Sequence, residues 1–258
     1  MKSSRNKIFL PACALIVAAA FALGPVDAGQ AGKLSASQIL AKCDDFHFGQ
    51  KDAVYKIDVT LIDKNGKKTY MKLENYQKGN SLRLIRFVEP KDLDGFAVLN
   101  KDENTMYVYE PSLGKVRRIA SHAKKQSMLG QDFTLDEASI FRYESVYDPV
   151  LVDEDDKTWH LELKQKQGKD RAWPIVHFYV DKKKFHASMI EFCDAAGKTI
   201  KTEKRSNLKK FDGLWVTARM KMTDHGKQHS TIYDIVDARF DQDLPADLFT
   251  KRSLIREE

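Results

Sequence analysis

The 258-residue chain has only three cysteines and no Cys-x-x-Cys pair, which removes the common zinc-ribbon and dithiol redox sites. It also lacks a Gly-x-Ser-x-Gly elbow, a His-Glu-x-x-His pair and a phosphate-binding glycine loop. We therefore expect a protein that is not an enzyme and needs no cofactor or metal. His225 and His229 have the spacing of a helical metal pair, but Asp224-His225-Gly226-Lys227 reads as a hairpin turn, which destroys that geometry. Asp153-Glu154-Asp155-Asp156 lacks the rest of a calcium loop and reads as a solvated turn. No Pro/Gly/Ser-rich linker divides the middle of the chain, so one domain is favoured over two. A strong excess of either charge is missing too, with 43 Lys and Arg against 37 Asp and Glu. No nucleic-acid partner is expected from so modest a balance.

A long apolar run occurs only at the start. Lys2, Arg5 and Lys7 precede apolar residues over 8–24, and Val26-Asp27-Ala28 places small residues where a signal peptidase needs them. We expect an export signal over residues 1–28, a mature domain over 29–258, and a periplasmic location. Pro11 interrupts the run, and it is short for a membrane anchor. Leu10-Pro11-Ala12-Cys13 resembles a lipid-attachment box, but that cysteine comes before most of the apolar core instead of after it. Loss of the leader lowers the net charge from +6 to about +4. Cys43 and Cys193 remain, either as one disulfide or as two buried thiols.

What is present is 42% hydrophobic residues in two periodicities. Ser35-Ala36-Ser37-Gln38 has capping-box spacing, and Ile39, Leu40, Cys43 and Phe46 follow at helical intervals, so the spacing predicts a helix over 37–46. The period then changes to two. Tyr55, Ile57, Val59 and Leu61 alternate with Lys56, Asp58 and Thr60, and Asp63-Lys64-Asn65-Gly66 makes the turn. Further strands are predicted over 68–77, 82–88, 96–99, 105–109, 158–164, 174–180, 187–192, 199–206, 214–223 and 229–240. This is a mainly β (α+β) pattern, a large antiparallel sheet that must curl and leave a concave apolar face. Helical material to fill that face is expected in the 37–46 helix, in 113–129, and in the capping box Thr134-Leu135-Asp136-Glu137.

The stretch "YVYEPSLGKVRRIASHAKKQSMLGQDF" (107–133) reads as a strand that leaves the sheet instead of forming a hairpin. Its apolar residues Ile119, Met128, Leu129 and Phe133 would pack as a lid over the curled sheet, while Lys115, Arg117, Arg118, Lys124 and Lys125 stay in water. The same pattern also suits a permanently packed cross-connection.

"LIRFVEPKDLDGFAVL" (84–99), "MYVYEPSLGKVRRIASHAKKQSMLGQDFTLDE" (106–137) and "FDGLWVTARMKMTDHGKQHSTIYDIVDARFDQDLPADLFT" (211–250) resemble the outer-membrane lipoprotein-sorting proteins. These are LolA-like periplasmic carriers, here of the branch that accompanies resistance-nodulation-division permeases. The resemblance implies an incompletely closed antiparallel β-barrel, LolA/LolB-like, with helices over its open side and a hydrophobic cavity for acyl chains. It implies lipoprotein or other lipid cargo, an inner-membrane permease (RND/MMPL-type or ABC) as donor, and an outer-membrane acceptor. A regulatory sensor of the same fold in envelope stress signalling is the alternative, and a secreted lipid hydrolase is a third. On this basis the cavity wall is expected at Tyr55, Ile57, Val59, Leu84, Met106, Val108, Leu161 and Met220, each of which also suits plain core. Arg83 and Arg86 are read either as head-group anchors or as surface cations. Arg117 and Arg118 are read as partner contacts or as a solvated charge run.

Overall fold

Alternation of apolar and polar residues drives most of this chain into β-strands, and the computed structural model, which describes residues 33–255, joins them in a single antiparallel sheet. The export signal expected over 1–28 lies outside the described residues. The strands are β1 (Asp52–Ile62), β2 (Lys68–Lys78), β3 (Leu82–Glu89), β4 (Ala97–Asn100), β5 (Met106–Glu110), β6 (Lys115–Arg118), β7 (Tyr147–Glu154), β8 (Thr158–Gln165), β9 (Ile175–Asp181), β10 (Ala187–Cys193), β11 (Thr199–Phe211), β12 (Leu214–Asp224) and β13 (His229–Phe240). Their spatial order is β6-β5-β4-β3-β2-β1-β13-β12-β11-β10-β9-β8-β7. The chain therefore starts at the centre of the sheet, steps out to one edge at β6, crosses to the other edge at β7, and steps back until β13 pairs with β1. Since β6 and β7 are both edges, the sheet is not closed, and residues 119–146 must bridge its two ends.

Two strands differ from expectation. The chain does turn back after Pro111–Leu113, because Gly114 adopts φ +59° and donates to the Glu110 carbonyl at 3.0 Å, and β6 pairs with β5. Only from Ile119 does the chain leave the sheet. The second, β7, carries Val150, Leu151 and Val152 in succession, with no period-two pattern. As an edge strand with one face on the core, it buries Tyr147 and packs Leu151 while leaving Val150 and Val152 about half exposed.

Helix α1 (Ala36–Phe48) begins at the expected capping box, with Gln38 N–H donating to Ser35 Oγ and Ser35 N–H donating to Gln38 Oε1. Its Ile39, Leu40 and Cys43 are fully buried against Leu161, Phe178 and Phe192 on the concave face. Each of the two aliphatic side chains contributes roughly 1.5–3 kcal/mol by leaving water. A second concave cluster joins Ile57, Val59, Phe87, Met106 and Val108. On the convex face Leu84, Ala97 and Leu99 are covered by Leu244, Phe249 and Leu254, and the last of these ends the short helix α3 (Lys251–Leu254). Among the described residues no helix is long and apolar enough to cross a membrane.

Cys43 and Cys193 are both free and buried, which decides between the two cysteine readings. Burial pushes the Cys43 thiol up to about 12, so little thiolate is available to react. Iodoacetamide is expected to leave both thiols untouched in native protein and to modify both in urea; mass spectrometry of the two samples checks this.

Candidate functional site

The bridge begins with a 3-10 turn (Ser121–Lys125), continues through an isolated pairing of Ser127 with Thr134, and reaches helix α2 (Leu135–Ala138). Thr134 and Glu137 form the expected capping box, with Glu137 N–H donating to Thr134 Oγ1 at 3.2 Å and Thr134 N–H to Glu137 Oε2 at 2.8 Å.

The bridge is held by buried polar groups. Asp132 accepts from the Thr231 hydroxyl at 2.8 Å and from His229 Nδ1 at 2.7 Å. The Lys201 ammonium donates to the Asp132 carbonyl and lies 3.6 Å from Glu137 Oε1, which also accepts from Trp173 Nε1 at 2.6 Å. Burial pushes the Glu137 carboxyl up, and Lys201 opposes this. Asp136 pairs with Arg171 at 3.3 Å, both almost fully buried. Phe133 stacks on Tyr233 with ring centroids 4.5 Å apart, and the Tyr233 hydroxyl donates to Gln131 Oε1. Residues 131–139 of the bridge, which include Phe133 of the expected lid, are therefore tied to β11 and β13.

Between sheet and bridge lies a cavity of about 200 Å³. Tyr55, Ile57, Ile85, Met220 and Ile235 line it from the sheet, Phe46 and Phe48 from the end of α1, and Met128, Phe133, Ile140 and Tyr143 from the bridge. It reaches the surface beside the β11–β12 hairpin. Pairing of β12 with β13 ends at Arg219–Asp234, and pairing of β10 with β11 begins at Met189–Lys204, so the hairpin tip leaves the sheet. Trp215, Val216, Thr217 and Phe240 all line the cavity here, and Trp215, 41% exposed, is where the lining meets solvent. Val236 bulges out of β13 where Ile57 pairs with Ile235 and is left 54% exposed.

The structure distributes the expected residues as follows. Tyr55, Ile57 and Met220 line the cavity, as do Met128 and Phe133. Val59, Met106, Val108 and Leu161 face the same concave side but are packed in its clusters away from the cavity. Ile119 and Leu129 are partly buried against the second of these clusters. Leu84 is a correction, because in β3 it points to the convex face and packs on Phe249, while Arg83 and Ile85 point inward. Arg83 is also not a surface cation. It is 7% exposed, lines the cavity, and donates to the Ala138 carbonyl and to Gln77 Oε1. Its guanidinium lies over Phe141 at 4.6 Å, and burial lowers it to about 10. Arg86 points to the convex side and donates to the Ser253 carbonyl. Arg117 and Arg118 are exposed on the β6 edge, with Arg117 3.3 Å from Glu110.

Residues that sequence reading missed are the polar part of the lining. Glu203 and Arg205 of β11 point inward and pair at 2.7 Å, and Arg205 Nη1 lies 2.9 Å from His47 Nε2. Burial, reinforced by Arg205, holds His47 well below the usual imidazole range and brings His186 down to about 4. The signal was present in β11, where Lys201, Glu203 and Arg205 share one parity, but charged residues on one parity read as a wet face.

These histidines give a pH dependence. Between pH 6.5 and about 4 the unfolded chain binds a proton at residue 186 and the folded chain does not, so stability falls on acidification. Asp44 acts oppositely: burial raises it to about 6, so in its range the folded chain holds the extra proton. His186→Asn is expected to remove about 2 kcal/mol of the stability lost between pH 7 and 4.5. Urea unfolding of both proteins at the two pH values measures this; equal losses would contradict it.

The geometry is that of a curled sheet with a bridged mouth and an internal amphipathic cavity. A family model for DUF1329-like proteins, described as uncharacterized protein, matches residues 79–256. The chain belongs to this DUF1329-like family. A DUF1329 family protein from Desulfovibrio piger superposes with a TM-score of 0.80 at 22% identity, over 85% of this chain and 98% of that one. A LolA superfamily protein from Nitrosomonas europaea gives 0.73 at 22% identity, over 86% and 100%. A domain described as an outer membrane lipoprotein-sorting protein from Vibrio parahaemolyticus gives 0.74 at 24% identity, over 85% and 97%. The comparison with curated proteins gave no match. This DUF1329-like chain thus has the LolA superfamily fold, an unclosed antiparallel sheet with a few helices.

Proposed function

We propose that the protein is a periplasmic carrier without catalytic activity. It holds the acyl part of a lipoprotein or another lipid between sheet and bridge and moves it from an inner-membrane permease of the resistance-nodulation-division type toward the outer membrane. The observation that carries this reading is the amphipathic cavity, with its long apolar wall of Ile57, Ile85, Met220 and Ile235, reaching the surface beside Trp215. Likeness of fold to the LolA superfamily protein and the lipoprotein-sorting domain supports the cargo class.

The physics of a carrier fits such a cavity. Each methylene taken out of water contributes roughly 0.8 kcal/mol, so a sixteen-carbon chain supplies on the order of 12 kcal/mol before costs. That suffices for transit and opposes spontaneous release, so delivery requires an acceptor that binds the chain better. Because the bridge is tied at residues 131–139, exchange runs through the opening at the β11–β12 hairpin, where the strands are already parted. Native mass spectrometry of protein gently released from the periplasm is expected to show one lipid per chain. Protein recovered empty that also fails to take up an acyl fluorophore would rule the carrier out.

A further inference from the structure

Of the two guanidinium groups that line the cavity, Arg205 has its carboxylate in Glu203 at 2.7 Å, and Arg83 has none. The other lining carboxylate, Glu137, is balanced by Lys201 at 3.6 Å. With both lining carboxylates paired elsewhere, Arg83 is the lining cation left without an ion-pair partner, and it is buried. Arg83 rests on a backbone carbonyl, a side-chain amide and the faces of Phe141 and Phe48, all of them neutral. A charge removed from water without a counter-ion is costly to the folded state, and proteins rarely hold one without a use. The unmet hydrogen-bonding capacity of the same side chain points the same way: Arg83 Nε is buried, lines the cavity and has no hydrogen-bond partner. It is a donor that an incoming oxyanion would satisfy.

We infer that the cargo is an anionic amphiphile, whose chain runs along Ile57, Ile85 and Ile235 and whose carboxylate or phosphate monoester enters the cavity to meet Arg83. The inference rests on the carrier reading and narrows it. A neutral acyl ester would leave Arg83 as it is, buried and unpaired, while an acid supplies the missing charge in a site from which water is excluded. The guanidinium fork suits either head, since both present two oxygens in the geometry that Arg binds bidentately.

The test uses three sixteen-carbon ligands that differ only at the head: hexadecanoate, hexadecyl phosphate and hexadecanol. Each displaces an acyl fluorophore from the full chain at pH 7.5, below its aggregation threshold. At least one anion is expected to bind ten or more times more tightly than the alcohol, and the tighter of the two anions identifies the head group. Arg83→Lys, which keeps the charge, is expected to retain part of the preference, and Arg83→Gln to abolish it. If the alcohol binds within twofold of both anions, this inference falls and the carrier reading stands. If none of the three binds, the carrier reading itself fails and takes the inference with it. The wild-type comparison is decisive by itself should either variant not fold.

Discussion

Asp132→Ala is expected to destabilise the protein by about 3–5 kcal/mol, the usual result of removing one partner from a buried charged network. Its side chain is 1% exposed and holds both Thr231 and His229 of β13, while its own N–H donates to Thr231 Oγ1 at 2.8 Å. The substitution leaves the His229 and Thr231 donors unsatisfied and removes the contact that fixes Phe133 on Tyr233. Amides of residues 126–139 should then exchange by local opening, well before global unfolding. By contrast, Lys125→Ala breaks the ion pair with Asp170 at 2.6 Å, but both partners are largely exposed and the change in stability should be hard to measure. Urea unfolding with hydrogen exchange separates the two cases, and a loss below about 1 kcal/mol for Asp132→Ala would show that the bridge is not anchored there.

The second large effect is on binding. Ile57→Phe combined with Met220→Trp fills the cavity from two strands of the sheet, since both residues line it and Met220 is only half-buried. Excluding three or four methylenes at roughly 0.8 kcal/mol each weakens acyl binding on the order of 100-fold. Folding stability should change by less than about 3 kcal/mol, the range for overfilling a packed site, and less where the volume added is empty space. Val59→Phe and Leu161→Phe act as controls because their side chains lie in packed clusters away from the cavity; they should cost stability and leave the affinity of the folded fraction unchanged. Fluorophore titration of the folded variants makes the comparison, and equal affinity in the filled cavity would place the chain elsewhere.

Much of the fold was legible because hydrophobic alternation and turn chemistry agree along most of the chain. Tyr55 to Leu61, the Asn65-Gly66 turn and the Ser35 capping box each specify their structure locally. What escaped the sequence is what long-range contacts decide. Leu84 sits in an apolar strand where both parities are buried, so nothing local distinguishes the concave face from the one covered by Phe249. Arg83 was legible as an oddity in that strand but not as a buried cation, because its partners, Ala138 and Gln77, come from α2 and β2. Glu203 and Arg205 looked like solvent-facing charge for the same reason. The 107–133 stretch was misread at Gly114, whose left-handed turn closes a hairpin before the chain departs. The crossing itself follows from topology: a sheet whose centre is β1 and β13 must have its edges joined by the middle of the chain.

The central claim is that an acyl chain occupies the space between sheet and bridge, and methionine methyl groups report on it directly. Met128 and Met220 line the cavity, whereas Met71, Met106 and Met222 are buried outside it. With 13C-labelled methionine methyls and an unlabelled fatty acid, the account requires saturable chemical-shift changes that are largest at Met128 and Met220 and smaller at the other three. Uniform shifts, or none at saturating ligand, would contradict it.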